Sequence, residues 1–209
     1  MKWVNEKQKG MAYQKFRVMP LTPLNPETAK RLEQLQNDLK LVKEKTVLDI
    51  GCHAGLASVV ALECGARKVL ATDVTQEYLG DLNKFSESTE QPLSTEHVSF
   101  LDLNERHTSQ VVIFLEVYHW LAAQGVAPTV VANKLNELAT DHIIFESPLD
   151  RSDPSVVRAM GDRSADYNLF QILDVLLAKG WRIEFTGLAS YFPSEYVRGR
   201  FLLTRIINP

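Results

Sequence analysis

The segment from Thr46 to Asp73 constrains the fold of this chain more than any other part of the sequence. An apolar strand runs into a short loop with Gly51 and Gly55 at its ends, the loop opens a helix, and a second apolar strand ends at Asp73. This order predicts a βαβ unit, in which a crossover helix joins two parallel strands. Ligands of open parallel sheets bind outside the carboxyl ends of the strands, so we expect a ligand site at the loop.

The glycine spacing in the loop indicates which kind of ligand this is. An acid at the end of the second strand is well placed to accept both hydroxyls of a ribose, which indicates a nucleoside. A dinucleotide site needs G-x-G-x-x-G, but the chain has Gly51, His53 and Leu56 at the three glycine places and fails two of them. The pattern that it fits is D-x-G-x-x-x-G, from Asp49 to Gly55.

On this pattern and on Asp73, the chain resembles the class I S-adenosylmethionine-dependent methyltransferases. The resemblance implies a cofactor that carries no phosphate, S-adenosylmethionine. The family usually has a further glycine where His53 stands, although the variant D-I-G-C-x-x-G is familiar in it. His53 is therefore expected to narrow the pocket or to face the methyl acceptor. The resemblance covers the chain from Leu41 to Ile207 as architecture, but its specific residues are few.

The resemblance also implies a set of residues that bind the cofactor. Asp73 is expected to take the ribose, and Asp102 lies near the adenine amino group unless it is a solvated loop acid. The whole implied set is Asp49, Gly51, Cys52, His53, Gly55, Asp73, Val74, Asp102, Leu103 and Leu115.

The predicted fold is α/β: a doubly wound, mostly parallel seven-stranded sheet with a reversed last strand and helices on both faces, the Rossmann-like methyltransferase fold. The last two predicted strands are Trp181–Gly187 and Arg200–Ile207. About a dozen residues join them, too few for a crossover helix, so this pair should be antiparallel. A length of 209 residues suits one such domain.

Several local elements are predicted along the chain. Asn25 caps a helix that begins at Pro26. A polar loop from Ser86 to Glu96 precedes a third strand, Val98–Leu101. The irregular segment Ser147–Asp166 reads as one long loop, which is expected to line the acceptor pocket or to be disordered.

The chain is predicted to have an N-terminal arm, residues 1–24, and a cofactor-binding methyltransferase domain, residues 25–209. The arm shows no sustained periodicity. It is either a frayed tail or a lid over the cofactor, the latter suggested by the aromatic and basic cluster Tyr13, Gln14, Lys15 and Phe16.

Composition narrows the partners and the compartment. A formal net charge of −3 provides no basic field, so nucleic acid is an unfavoured but not excluded partner. Cys52 and Cys64 are too few for a disulfide framework or a zinc site. No signal-peptide core opens the sequence, and the longest apolar run, Val111–Leu115, stops at Glu116. We expect a cytoplasmic protein without membrane contact; its oligomeric state stays open.

Catalytic candidates follow the fourth predicted strand. A base is needed only where the acceptor is protonated in its reactive state, and His119 is the best candidate because imidazole titrates near neutrality. Glu116 would orient the methionine ammonium group or the acceptor. In the competing interpretation, Glu116 caps the next helix and His119 packs on Trp120. Glu116 and His119 could also share a metal on one helix face, but we predict no metal site.

The expected acceptor is a small molecule whose O or N atom receives the methyl group. Segments after the fourth, fifth and sixth strands supply aromatic walls and cationic groups, the usual composition of a small-ligand pocket. The predicted substrate-binding residues are Tyr118, Arg151, Tyr191, Tyr196 and Arg198. Two other functions remain open: an RNA or protein methyltransferase, and an S-adenosylmethionine-binding protein that is not a methyltransferase.

Overall fold

The computed structural model describes residues 3–4, 16–18, 21–23, 25–189 and 196–206. The strands are β1 (Trp3–Val4), β2 (Phe16–Val18), β3 (Thr22–Pro23), β4 (Thr46–Ile50), β5 (Lys68–Asp73), β6 (Leu93–His97), β7 (Ser109–Leu115), β8 (Ala139–Pro148), β9 (Trp181–Leu188) and β10 (Arg198–Arg205). The α-helices are α1 (Pro26–Asp38), α2 (Leu56–Glu63), α3 (Gln76–Thr89), α4 (Tyr118–Ala123), α5 (Pro128–Leu138), α6 (Pro154–Met160) and α7 (Leu169–Ala178).

The main sheet has seven strands in the order β6-β5-β4-β7-β8-β10-β9. The recorded pairings of β4 with β5, β5 with β6, and β7 with β8 are parallel, whereas β10 is antiparallel to both of its neighbours. The predicted fold class and its reversed last strand are confirmed. Val111 to Phe114 of β7 are all 0% exposed, as expected for a strand covered on both faces.

The chain divides into two compact units, one ending at Asp102 and the other beginning at Leu103. In the first unit, the Asn25 side chain accepts a hydrogen bond from the Thr28 N–H at 2.8 Å, and Pro26 occupies the first turn of α1. The predicted start of this helix is therefore confirmed. Leu32 and Leu35 bury its apolar face, and a 3-10 turn, Leu39–Val42, continues it to the start of β4.

In the second unit, α7 has apolar residues at helical spacing along one face. Leu169, Ile172, Leu173 and Leu176 are buried on one face, and the Asn168 side chain accepts from the Gln171 N–H at 3.1 Å to cap the helix. In the sheet, Arg200 of β10 stands directly opposite Glu146 of β8. This register brings Arg198 alongside Pro148, at the carboxyl end of β8.

The predicted third strand is wrong. The strand is β6, Leu93–His97, and a 3-10 turn occupies Phe100–Asp102. Because β6 is an edge strand, its polar side chains can face solvent and only Leu93 is buried. It therefore lacks the apolar run on which the prediction depended.

The prediction of one long loop over Ser147–Asp166 is also wrong. It contains α6, followed by a 3-10 turn over Gly161–Asp166. Asp153 caps α6 by accepting from the Ser155 N–H at 2.9 Å, and Val156 and Met160 are buried one turn apart. The predicted loop Ser86–Glu96 is wrong too, because α3 extends to Thr89 and β6 begins at Leu93. The other predicted elements occur, with ends shifted by a few residues.

Part of the N-terminal arm can be described. Strands β1, β2 and β3 form a small antiparallel sheet of their own. Tyr13, Gln14 and Lys15 lie outside the described residues, so the division of the chain at residue 24 stays a prediction. None of the helices in the described residues is both long and apolar enough to cross a membrane.

Candidate functional site

The loop from Gly51 to Gly55, called here the glycine loop, folds in the left-handed region of backbone space at three positions. The φ angles are 67° at Gly51, 50° at His53 and 81° at Gly55. Glycine adopts such angles without strain, but a residue with a Cβ does so at a cost. His53 thus occupies a backbone position suited to glycine, which explains why the related family usually has glycine there.

Gly55 is fixed by packing as well as by its backbone angle. A Cβ built at Gly55 would lie 2.3 Å from a methyl carbon of Leu82 in α3. No real carbon pair approaches so closely, so α2 begins here against α3 only because residue 55 has no side chain. The glycine pattern found in the sequence therefore sets the path of this loop.

Asp73 ties the glycine loop to the end of β5. Its Oδ2 accepts from the His53 N–H at 2.9 Å, and its Oδ1 accepts from the Thr75 N–H at 2.8 Å. A carboxylate oxygen can accept about two hydrogen bonds, so both oxygens retain capacity for ribose hydroxyls. The side chain is 7% exposed, at the strand end where the sequence predicts the sugar.

Asp49 and Cys52 are two buried residues among those predicted to bind the cofactor. Asp49 is 3% exposed, and its Oδ2 accepts from the Ser58 hydroxyl at 2.6 Å. Burial raises the pKa of Asp49 to about 6, although the Ser58 hydrogen bond opposes the shift. Cys52 is buried, and its N–H donates to the Thr72 carbonyl at 3.0 Å. Their roles toward a cofactor stay predictions.

The other predicted cofactor residues differ in exposure. Val74 is 63% exposed, and its carbonyl oxygen accepts from Nε2 of His97 at 2.8 Å. Asp102 is exposed and accepts from the Ser99 hydroxyl at 2.7 Å. Leu103 is buried, and its carbonyl accepts from the Lys134 ammonium at 2.7 Å, while Leu115 is half-buried at the end of β7. Their roles toward a cofactor stay predictions.

Three polar side chains of the second unit surround the guanidinium of Arg198; we call Arg198, Glu116, Asp153 and Ser155 the Arg198 cluster. Nε of Arg198 lies 2.6 Å from Oε2 of Glu116, and Nη1 pairs with Oδ2 of Asp153. Nη2 donates to the Ser155 hydroxyl at 2.9 Å. The Arg198 and Asp153 side chains are only 2% and 1% exposed. Sequence reasoning did not find this cluster, whose members come from three separate segments.

The cluster is electrostatically coupled. Burial alone would raise the pKa of Asp153. Hydrogen bonds from Arg198 and Ser155, together with the positive charge of Arg198, outweigh burial and lower this pKa. Burial would lower the pKa of Arg198, but Glu116 and Asp153 outweigh that effect and raise it. The structure therefore gives Arg198 three protein partners, whereas the sequence predicts a substrate contact.

Glu116 does not cap α4 as the competing interpretation expects. The helix has Val117 at its N-cap without a side-chain hydrogen bond, and the Glu116 carboxylate faces Arg198 instead. Its φ is 63°, and its N–H donates to the Glu146 carbonyl at 2.9 Å. A left-handed non-glycine residue that ends a central strand is a common sign of a functional position.

His119 is buried in α4 and packs on Trp120, with ring centroids 5.1 Å apart, as the competing interpretation expects. Burial and the positive charge of Arg198 lower its pKa to about 3, with Asp153 opposing. The ring is neutral at physiological pH, but a base of such low pKa accepts protons weakly. Within the described residues, no three His, Cys, Asp or Glu side chains gather into a potential metal site.

The remaining predicted substrate residues are placed differently from one another. Tyr118 is fully buried, its hydroxyl lies 3.3 Å from the Asn168 carbonyl, and its ring packs on Tyr167. Arg151 is exposed in the turn before α6. The hydroxyl of Tyr196 accepts from Arg158 at 3.2 Å, and the Arg198 guanidinium lies over its ring. Tyr191 lies outside the described residues.

Comparison with known proteins agrees with this geometry. The family model for ribosomal protein L11 methyltransferase (PrmA) matches residues 25–80, which include the glycine loop and Asp73. A search of curated proteins finds no significant match.

Solved structures resemble much more of the chain. Magnesium protoporphyrin IX methyltransferase (ChlM) from Synechocystis PCC 6803 has a TM-score of 0.66 at 17% identity, covering 86% of this chain and 80% of its own. A proposed S-adenosylmethionine-dependent methyltransferase from Listeria monocytogenes has a TM-score of 0.67 at 18% identity, and the match covers 86% of this chain and 100% of that protein. N-methyltransferase NodS from Bradyrhizobium japonicum WM9 has a TM-score of 0.66 at 14% identity, and the match covers 87% of this chain and 98% of that protein.

At these identities the structural likeness shows the fold, and the family model matches the segment that contains the glycine loop. The resemblance read from the glycine loop is confirmed by both comparisons. The chain therefore has the Rossmann-like fold of the class I S-adenosylmethionine-dependent methyltransferases and is similar to them.

Proposed function

We propose that this protein is an S-adenosylmethionine-dependent methyltransferase. The observation that carries the proposal is the carboxylate of Asp73, which ends β5 and ties down the glycine loop through the His53 N–H. An acid in this place suits a ribose, and the loop lacks two of the three glycines of a dinucleotide site. The ChlM structure contains bound S-adenosylmethionine, and NodS was solved with S-adenosylhomocysteine, which supports the same cofactor here.

The described residues fit such a cofactor. Asp73 has acceptor capacity for the sugar, Val74 offers an exposed apolar surface beside it, and Nδ1 of His53 is a buried polar atom without a described partner. When bound, S-adenosylmethionine supplies a methyl group already activated by its sulfonium. The chain's own task is then to bind, to orient and to exclude water, with no nucleophilic side chain or metal required.

We propose a small-molecule acceptor, bound by the second unit. The name of ChlM supports this choice, whereas the PrmA match favours a protein acceptor. A net charge of −3 argues against a polyanion. Because Arg198 is held by Glu116 and Asp153, it is better regarded as a positioning residue than as a grip for an anionic acceptor.

Proton removal from the acceptor is proposed to involve Glu116 or His119 only where the acceptor needs it. His119 would act as a hydrogen-bonding group rather than a strong base, because burial lowers its pKa to about 3. Residues 1–24 are proposed to form an N-terminal arm, which is either a frayed tail or a lid over the cofactor. A cytoplasmic location is proposed from the sequence alone.

Transfer of label from S-adenosylmethionine tests the proposal. Purified protein would be incubated with methyl-labelled S-adenosylmethionine and, in parallel, a metabolite extract, total RNA or a protein lysate. We expect label in the metabolite fraction, and none in matched samples that contain heat-denatured protein. Label confined to RNA or protein would overturn the small-molecule acceptor. An absence of label from all three fractions would contradict the enzymatic function.

A further inference from the structure

His53 is the anomalous residue of the glycine loop. Its φ of 50° is strained for a residue with a Cβ, and Nδ1 of its ring is buried without a hydrogen-bond partner among the described residues. Each feature costs free energy. A glycine would avoid both costs, so the imidazole is expected to provide a compensating contact.

The ring is held in a defined place. It packs on Tyr78, with ring centroids 4.2 Å apart and planes inclined by 47°. The backbone N–H of His53 donates to Oδ2 of Asp73 at 2.9 Å. Backbone and ring are therefore both restrained, and Nδ1 is held in one buried position within the glycine loop.

The charges around the ring indicate which ligand group Nδ1 would meet. The carboxylate of Asp73 acts on the His53 ring, and Asp49 lies near enough to interact with Asp73. Burial lowers the pKa of His53 to about 4, so the ring is neutral and one nitrogen is an acceptor. The guanidinium of Arg31 also acts on the ring, but the two carboxylates outnumber it. A net negative charge and a neutral acceptor favour a cationic donor over a carboxylate.

We infer that Nδ1 of His53 accepts a hydrogen bond from the α-amino group of the bound ligand's aminoacyl arm. His53 would thus select for ligands that carry this amine, a contact that glycine cannot supply. The inference rests on the proposed function, because it names a contact within the same cofactor site.

Calorimetry with three ligands tests the inference in wild-type protein and His53→Gly. The ligands are S-adenosylhomocysteine, its analogue lacking the α-amino group, and 5′-methylthioadenosine, which lacks the aminoacyl arm. The variant should bind S-adenosylhomocysteine about tenfold more weakly, the usual size of a hydrogen bond to a charged group. Its affinity for the other two ligands should be unchanged. Equal loss for all three ligands, or no loss for any, would overturn the inference.

Two measurements separate this contact from a structural role. Without ligand, His53→Gly should melt no lower than wild type, because glycine adopts this φ without strain. In nitrogen-15 NMR spectra, S-adenosylhomocysteine should shift the Nδ1 resonance of His53, and the deaminated analogue should not; equal shifts would contradict the contact. A wild-type protein that binds none of the three ligands would refute the proposed function and this inference together.

Discussion

Replacing Arg198 by methionine should lower the free energy of unfolding by about 3–5 kcal/mol, the usual effect of removing one partner from a buried ion pair. The substitution leaves the carboxylates of Glu116 and Asp153 facing each other without the guanidinium that pairs with both. Because the Asp153 side chain is 1% exposed, water cannot easily replace that partner. Urea unfolding followed by circular dichroism measures the change.

Two controls make this result specific. Arg151→Met alters an exposed arginine in the turn before α6 and should change stability by less than about 0.5 kcal/mol. Adding Glu116→Gln and Asp153→Asn to Arg198→Met removes the stranded charges and should restore part of the loss. If Arg198→Met is as stable as Arg151→Met, the ion pairs of the Arg198 cluster do not stabilise the fold.

Replacing Asp73 by alanine should weaken binding of S-adenosylhomocysteine tenfold or more. Losing a charge-assisted contact to the ribose costs about 1.5–3 kcal/mol. The His53 and Thr75 N–H groups also lose their acceptor, so the glycine loop loses its tether to β5. Isothermal titration calorimetry measures the change in affinity.

A ligand without the 2′-hydroxyl separates these two effects. Removing this hydroxyl should weaken binding to wild-type protein but should make little further difference to Asp73→Ala. If removing the 2′-hydroxyl lowers the affinity as much in Asp73→Ala as in wild type, the ribose binds elsewhere and Asp73 only shapes the glycine loop.

The sequence predicted best what depends on neighbouring residues and fixed spacing. Gly51, Gly55 and Asp73 belong to one βαβ unit, and the structure places them in a single loop and strand end. The start of α1 was equally local, because Asn25 and Pro26 supply a cap and a first turn. The antiparallel last strand followed from the length of one connection.

The sequence could not reveal contacts between distant segments. The Arg198 cluster joins the end of β7, the start of α6 and the start of β10, and no periodicity links these positions. Helix α6, which the sequence analysis missed, did carry a helix-start signal. Asp153 before Pro154 resembles the capping residue and proline that begin α1. Strand β6 gave no comparable signal, since an edge strand needs few apolar residues.

The glycine loop also shows where a departure from a family pattern conveys information. His53 keeps the left-handed backbone of the glycine that it replaces. The sequence predicts an altered pocket at this position, but only the structure locates the unpaired nitrogen and the Tyr78 ring beside it. The backbone at residue 53 therefore suits glycine, whereas the side chain adds a ring and a buried nitrogen.

The central claim is that the glycine loop and Asp73 bind an adenosyl ligand of the methyltransferase type. Titration of the wild-type protein with S-adenosylhomocysteine and, separately, with NAD tests it most directly. We predict saturable binding of S-adenosylhomocysteine at one site and no binding of NAD, because two of the three dinucleotide glycines are absent. Binding of NAD without any response to S-adenosylhomocysteine would contradict the claim.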